Sequence, residues 1–280
     1  MKMMSGLCDQ MKYYLIGEEI KNLGFKLKYD LSWYDEYPVK DGTNARNFQL
    51  IDLFPQLEFE IASKEEAALY RKKFFFNGEN LSNQWHISEK IKSPLYINAT
   101  FGDAWALCYE AQSAIKDQEK YKNCFQLDES VLNQKNLEML KKIRSKECAV
   151  GVHVRRGDMS ESDENSYFKV PELNYFVNSI NIMKKKFPNS YFFFFSDDPN
   201  YVEEIIFPKF ETNLNGEIVN INDTKNCFMD FFLLCECKHQ IRSQGTMGEF
   251  SYILNKNPNK ILIAPKNCRI DLHIKPDITT

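Results

Sequence analysis

The 280-residue chain has no run of about eighteen apolar residues, and so nothing of the length needed to cross a bilayer. Its opening residues, MKMMSGLCDQMKYYLIGEEI, lack an uninterrupted apolar core, which predicts a soluble protein not secreted by a cleaved signal. An excess of one charge is missing too: Lys and Arg total 36 against 39 Asp and Glu, a net charge of −3. Nucleic-acid affinity rests on clustered cations that neutralise phosphates, so the balance excludes nucleic acid as the main partner. The short runs RKK at 71–73 and KKK at 184–186 read as solvated helix faces. The 8 cysteines form no CxxC pair and no framework spacing, the usage of a reducing compartment with free thiols. Cys235 and Cys237 have neither a second cysteine pair nor a spaced histidine pair to complete a zinc site, so no metal is expected. GxSxG, P-loop and HExxH motifs are also absent, which leaves an α/β hydrolase or phosphatase without its usual apparatus.

What is present is a chain that is 43% apolar, enough for one large or two modest α/β cores. Residues 8–23 read as a helix closed by Gly24, and FKLKYDL alternates like a strand. From Trp33 to Cys124 the periodicity is weak, as in short helices and loops. Beyond residue 134 the pattern sharpens. NLEMLKKIRSKE reads as a helix and CAVGVHV as a buried strand. In LNYFVNSINIMKKKF, Leu173, Phe176, Val177, Ile180, Met183 and Phe187 share one helical face. YFFFFS is a continuous apolar run of strand length, as parallel strands covered on both faces are. A helix over 224–237, a short strand near HQIR, a helix from Thr246 to Leu254 and the strand KILIAP complete an alternation that predicts a doubly wound parallel sheet. The change of pattern sets the boundary between residues 146 and 147, giving an N-terminal half (1–146) and a C-terminal Rossmann-like half (147–280).

Ligands of open α/β sheets bind at the carboxyl ends of the strands, and three predicted ends here are polar. The first, HVRRGD, carries His153, Arg155, Arg156 and Asp158. An arginine fork there suits a phosphate, as in a nucleotide diphosphate, and equally suits a structural ion-pair cluster with Asp158. The second is SDDP, where Asp198 before Pro199 reads as a helix N-cap, although an aspartate at such an edge also suits the N–H edge of guanine. Adjacent aspartates invite a metal as well, but no third ligand accompanies them. The third is RSQGTMGEF, where Ser243, Gln244, Gly245 and Thr246 form a small-residue turn into a helix, a natural anion site.

The succession VHVRRGD, FFFFSDD, DFFLLCECKHQIRSQGTMGEFSYILN and NPNKILIAP resembles the bacterial α-1,2-fucosyltransferases of glycosyltransferase family 11, and the HxRRxD signature is shared with α-1,6-fucosyltransferases. The resemblance implies an α/β, GT-B-like fold of two Rossmann-like halves. The donor GDP-fucose would be held mainly by the C-terminal half, with no metal or other cofactor, and the N-terminal half would serve the acceptor. It implies that His153 lies near the nucleoside, Arg155 contacts the β-phosphate, Arg156 and Asp158 shape the same turn, Asp198 meets guanine, and Ser243 to Thr246 hold the diphosphate. Reading Gln10 with the N-terminal loop follows from the same resemblance, since SGLCDQM keeps Gly6, Leu7, Gln10 and Met11 of the family's GGLGNQM but has Cys8 and Asp9. The later block, usually like NSTFSWWAAWLN, here loses its aromatic pair.

The implied reaction is one inverting displacement onto a terminal galactose, forming an α-1,2 link in a bacterial surface glycan. The acceptor is a galactose-terminated oligosaccharide or lipid-linked glycan, reached from the cytoplasm with peripheral contact at the inner face of the membrane. For the general base the relatives point to Asp163, among the neighbouring acids Asp158, Glu161 and Glu164, with His86 and His239 as other bases. Other regiochemistry or acceptor, and a nucleotide-sugar-binding protein without catalysis, stay open.

Overall fold

The computed structural model describes residues 1–36, 46–76, 86, 94–98, 109, 113, 116–157, 170–210, 214–266 and 274–280. The chain divides into two compact units, Met1–Gln126 and Leu127–Thr280.

The first unit holds helices α1 (Leu7–Asn22), α2 (Ser32–Glu36), α3 (Leu50–Leu53), α4 (Lys64–Lys73) and α5 (Gln118–Cys124), with the short parallel strands β1 (Phe75–Phe76) and β2 (Tyr96–Ile97). Helix α1 is buried through Leu7, Met11, Leu15, Ile16 and Ile20, and Gly24 takes the left-handed conformation expected past its end, at φ +89°. A capping box starts α4: Ser63 Oγ accepts from the Glu66 N–H and Glu66 accepts from the Ser63 N–H. FKLKYDL forms no continuous strand. Only Tyr29 and Asp30 bridge, to Ile61 and Lys2, while Lys26 and Lys28 are exposed. The Lys2 N–H donates to the Ile97 carbonyl, extending these parallel rows to β2. Asp30 ties them together, accepting from Arg71 (2.9 Å), Tyr96 Oη (2.6 Å) and the Ser32 N–H (2.9 Å). Burial pushes its carboxyl up, but these donors outweigh it and hold the group at about 2.

The second unit runs α6 (Gln134–Ser145), β3 (Cys148–Val154), α7 (Leu173–Lys186), β4 (Ser190–Ser196), α8 (Pro199–Tyr201), β5 (Gly216–Ile218), α9 (Cys227–Glu236), β6 (His239–Ile241), α10 (Met247–Leu254), β7 (Leu262–Ala264) and β8 (Ile278–Thr279). The six strands are all parallel in the order β5-β4-β3-β6-β7-β8. CAVGVHV and YFFFFS pair in full register, Cys148 with Ser190 through Val154 with Ser196. One face of the sheet, Val150, Val152, Val154, Phe192 and Phe194, packs on Phe176, Ile180 and Met183 of α7. Each fully buried phenylalanine there contributes about 2–3 kcal/mol. The unit begins before the boundary drawn from the sequence pattern. Helix α6 packs on α9 and belongs with it, its Asn136 side chain reaching Met229 at 3.0 Å and its Arg144 pairing with Glu236 at 2.7 Å. Among the described residues no helix is long and apolar enough to cross a membrane.

Candidate functional site

Strand order reverses between β3 and β6. The chain builds outward from β3 through β4 to β5, then crosses back to place β6 on β3's other side. Such a switch point is where open α/β sheets hold ligands. Here it joins the first and third polar strand ends. The Arg155 N–H donates to Ser243 Oγ at 2.9 Å, and the Ser243 N–H donates to the His153 carbonyl at 3.0 Å. Gly245 stands at φ +104°, a conformation that any side chain would strain, and the place its Cβ would take lies 3.6 Å from Arg155 Cδ. His153, Arg155, Ser243 and Gly245 therefore form one constellation. Gln244 is buried beside them, and Thr246 occupies the N-cap of α10, whose first N–H groups have no intrahelical acceptor.

His153 is 6% exposed, with Nδ1 3.5 Å from Ser243 Oγ. Burial, with Arg155 and Arg242 adding repulsion, holds its imidazole down at about 3. It is a neutral hydrogen-bonding group, neither a cation nor a proton acceptor at ordinary pH.

The two arginines divide between the two readings of HVRRGD. Arg156 belongs to an ion-pair cluster: its N–H donates to Asp197 Oδ1 at 2.8 Å, its guanidinium lies 3.4 Å from Asp198 Oδ2, and it stacks over the Tyr201 ring at 3.7 Å. Asp198 caps α8, its Oδ1 accepting from the Tyr201 N–H at 3.1 Å. The capping reading of SDDP is the observed one. With one oxygen on a helix end and the other facing Arg156, Asp198 is held in place, yet its side chain is 39% exposed and keeps lone pairs for a further donor. Arg155 instead lies along the glycine turn, where an anion would sit. Asp158 and Asp163 lie outside the described residues, as do Glu161 and Glu164.

Gln10 is fully buried in the first unit. Its amide donates to the Ser5 and Asn47 carbonyls (3.0 and 2.8 Å) and accepts from the Gln49 and Leu50 N–H groups (both 3.0 Å). Its hydrogen-bonding capacity is used in pinning the loop before α3 to the start of α1, so it is a structural pin. Asp9 accepts from Ser5 Oγ at 2.7 Å and pairs with Lys12 at 3.3 Å. His239, at the opposite end of the sheet, stacks on Phe187 and accepts from the Ile261 N–H, a structural position. His86 stacks on Tyr109.

Three features of the second unit escaped the sequence reading. Arg242 and Glu249 form a buried ion pair at 2.5 Å beneath the Ser243–Thr246 turn. Asp197 fixes the backbone of Arg156. Asp230, in the first turn of α9, accepts from Asn222 at 2.7 Å, and burial pushes its carboxyl up to about 6 despite that bond. Asn222 lines a cavity of about 610 Å³ at the carboxyl edge of β5, with Asn133, Lys135, Asn220, Asp223 and Asn226. Only the charge of Arg242, at the end of the short strand near HQIR, offered a signal in the sequence. Among the described residues no group of three or more His, Cys, Asp or Glu side chains is arranged to hold a metal ion.

A family profile described as glycosyl transferase family 11 matches residues 110–276. An O-antigen biosynthesis glycosyltransferase, WbnK, of Escherichia coli is 28% identical over 145 residues, 51% of this chain and 47% of that protein; the chain thus matches about half of that relative's length. An α-1,2-colitosyltransferase of Escherichia coli is 23% identical over 94% of this chain and 90% of its own. Among solved structures, NodZ α-1,6-fucosyltransferase co-crystallized with GDP superposes at a TM-score of 0.46, with 14% identity and 90% of each chain covered.

Proposed function

Because the chain belongs to glycosyl transferase family 11, we propose that it is an inverting fucosyltransferase that moves L-fucose from GDP-fucose to a terminal galactose of a bacterial surface glycan, forming an α-1,2 link. The observation that carries the reading is the junction at the switch point, where Arg155, Ser243 and the positive-φ Gly245 converge at the start of a helix. Backbone N–H groups, a helix N-terminus and a permanent cation are the donors a departing diphosphate needs.

In the reaction an acceptor hydroxyl oxygen bonds to the anomeric carbon as the bond from that carbon to the β-phosphate oxygen breaks. The electron pair leaves with GDP, and the hydroxyl proton passes to a base, for which Asp163 is our candidate. Negative charge grows on the phosphate as the bond lengthens, so Arg155 and the turn stabilise the transition state more than the ground state. His153, neutral and fixed beside Ser243, orients the nucleoside side by hydrogen bonding.

We assign the guanine edge to Asp198, whose side chain is 39% exposed and keeps lone pairs beyond its bonds to α8 and Arg156. Asp198 follows β4, the neighbour of β3, so phosphate and base would lie at adjacent strand ends. No metal takes part in this reading, and the enzyme works from the cytoplasmic side with peripheral membrane contact.

The relative matched over 94% of this chain favours a second donor, GDP-colitose, whose sugar is L-fucose without its 3-hydroxyl. The test is GDP release and product linkage with GDP-fucose or GDP-colitose, galactose-terminated oligosaccharides and EDTA. Acceptor-dependent release from GDP-fucose with a Fuc-α-1,2-Gal product is the expected result. Release from GDP-colitose alone transfers the case to the second donor, and GDP binding without release on any acceptor overturns catalysis.

A further inference from the structure

Arg242 and Glu249 stand on either side of the Ser243–Gly248 segment, and each is 2% exposed or less. Their side chains meet at 2.5 Å. Gly248 makes this possible: a Cβ there would fall 2.6 Å from Arg242 Cβ, in the space the arginine stem occupies. The backbone of Arg242 is clamped as well. Its N–H donates to the Ile263 carbonyl at 3.0 Å, and its carbonyl accepts from Tyr175 Oη at 2.5 Å.

A buried ion pair is a weak source of stability, because desolvating both ions offsets most of their attraction, and apolar residues of similar volume serve as well or better. Neither side chain is open to a ligand, so neither recognises one directly. What the pair does is fix the distance between the end of β6 and the first turn of α10, and the turn between them carries Ser243 and Gly245. Glu249 lies in that first helical turn, where the helix dipole also favours a carboxylate.

We propose that Arg242 and Glu249 are positioning residues, a buried tie that sets the Ser243–Thr246 turn at the geometry needed to receive the donor diphosphate. The inference rests on the reading of that turn as the diphosphate site. Loss of the tie lets the turn drift, and misplacement of this kind lowers rate by about ten- to a hundredfold.

The test compares the double variant Arg242→Met/Glu249→Leu with wild type, measuring thermal unfolding, GDP affinity, and KM for donor and acceptor separately. Removing both charges leaves no uncompensated ion, so the variant is expected to melt close to wild type. The expected result is that donor KM and GDP Kd nonetheless rise about tenfold or more while acceptor KM stays unchanged. Glu249→Gln, nearly the same size, is the second variant, and the same split between donor and acceptor is expected in whatever fraction is folded. A double variant or Glu249→Gln with wild-type donor KM and GDP affinity overturns the tie. Arg155→Ala separates the two levels: if it binds GDP as wild type does, the diphosphate reading itself fails, whereas lost binding there with normal donor KM in the pair variants removes only the positioning role.

Discussion

Acid should destabilise the second unit through His153, and the size of the effect follows from its burial. The imidazole is held at about 3 in the folded protein against an ordinary 6.5. As pH falls below 6.5 the unfolded chain takes up a proton that the folded chain refuses, so stability drops by up to about 1.4 kcal/mol per pH unit. From about pH 6.5 to about pH 4.5 this amounts to about 3 kcal/mol, and it levels off only near the folded value. Asp230 acts in the opposite sense. Its carboxyl is raised from 3.8 to about 6, so the folded state binds that proton first and gains stability as pH falls through the same window. The raw acid curve of the wild type is therefore shallow, and the contribution of His153 appears in comparison with His153→Gln. His239, also lowered, is common to both proteins and cancels. Urea unfolding is best followed by circular dichroism, because all 3 tryptophans, at positions 33, 85 and 105, lie in the first unit. The stability gap between wild type and variant should shift by about 3 kcal/mol in the variant's favour between about pH 7 and about pH 4.5. Parallel curves would refute the placement of His153 as a buried neutral group.

Asp198→Ala should cost about 1 kcal/mol through the lost N-cap of α8, read by thermal unfolding, and should weaken GDP about tenfold or more while leaving ADP binding unchanged, read by calorimetry; equal loss for both nucleotides would remove Asp198 from base recognition. Gln10→Ala should destabilise the first unit by about 3 kcal/mol, since it leaves buried backbone groups unmatched, and should not change GDP affinity.

The fold was most legible where one rule dominated. CAVGVHV and YFFFFS are parallel strands covered on both faces, and their uninterrupted apolar character marked them to within a residue. The edge strands β5 and β8 escaped because two or three residues are too few for a period to show. FKLKYDL shows the converse: it alternates correctly, yet only Tyr29 and Asp30 find partners. At the site, the convergence of HVRRGD with RSQGT followed from placing polar residues at strand ends, and the structure joins them through Arg155 and Ser243. The division of labour between Arg155 and Arg156 was not legible, since it depends on Asp197, Asp198 and Tyr201 from the next strand end. Gln10, read only with the N-terminal loop, lies there, and its role in pinning that loop was not legible because its four backbone partners come partly from residues 47–50, far along the chain.

The most direct test of the account is a calorimetric titration of GDP into the wild-type protein and Arg155→Ala. Saturable binding to the wild type, weakened at least about tenfold in a variant that melts normally, is the predicted result. Absence of GDP binding to the wild type, or equal affinity in both proteins, would contradict the placement of the donor diphosphate at the junction of β3 and β6.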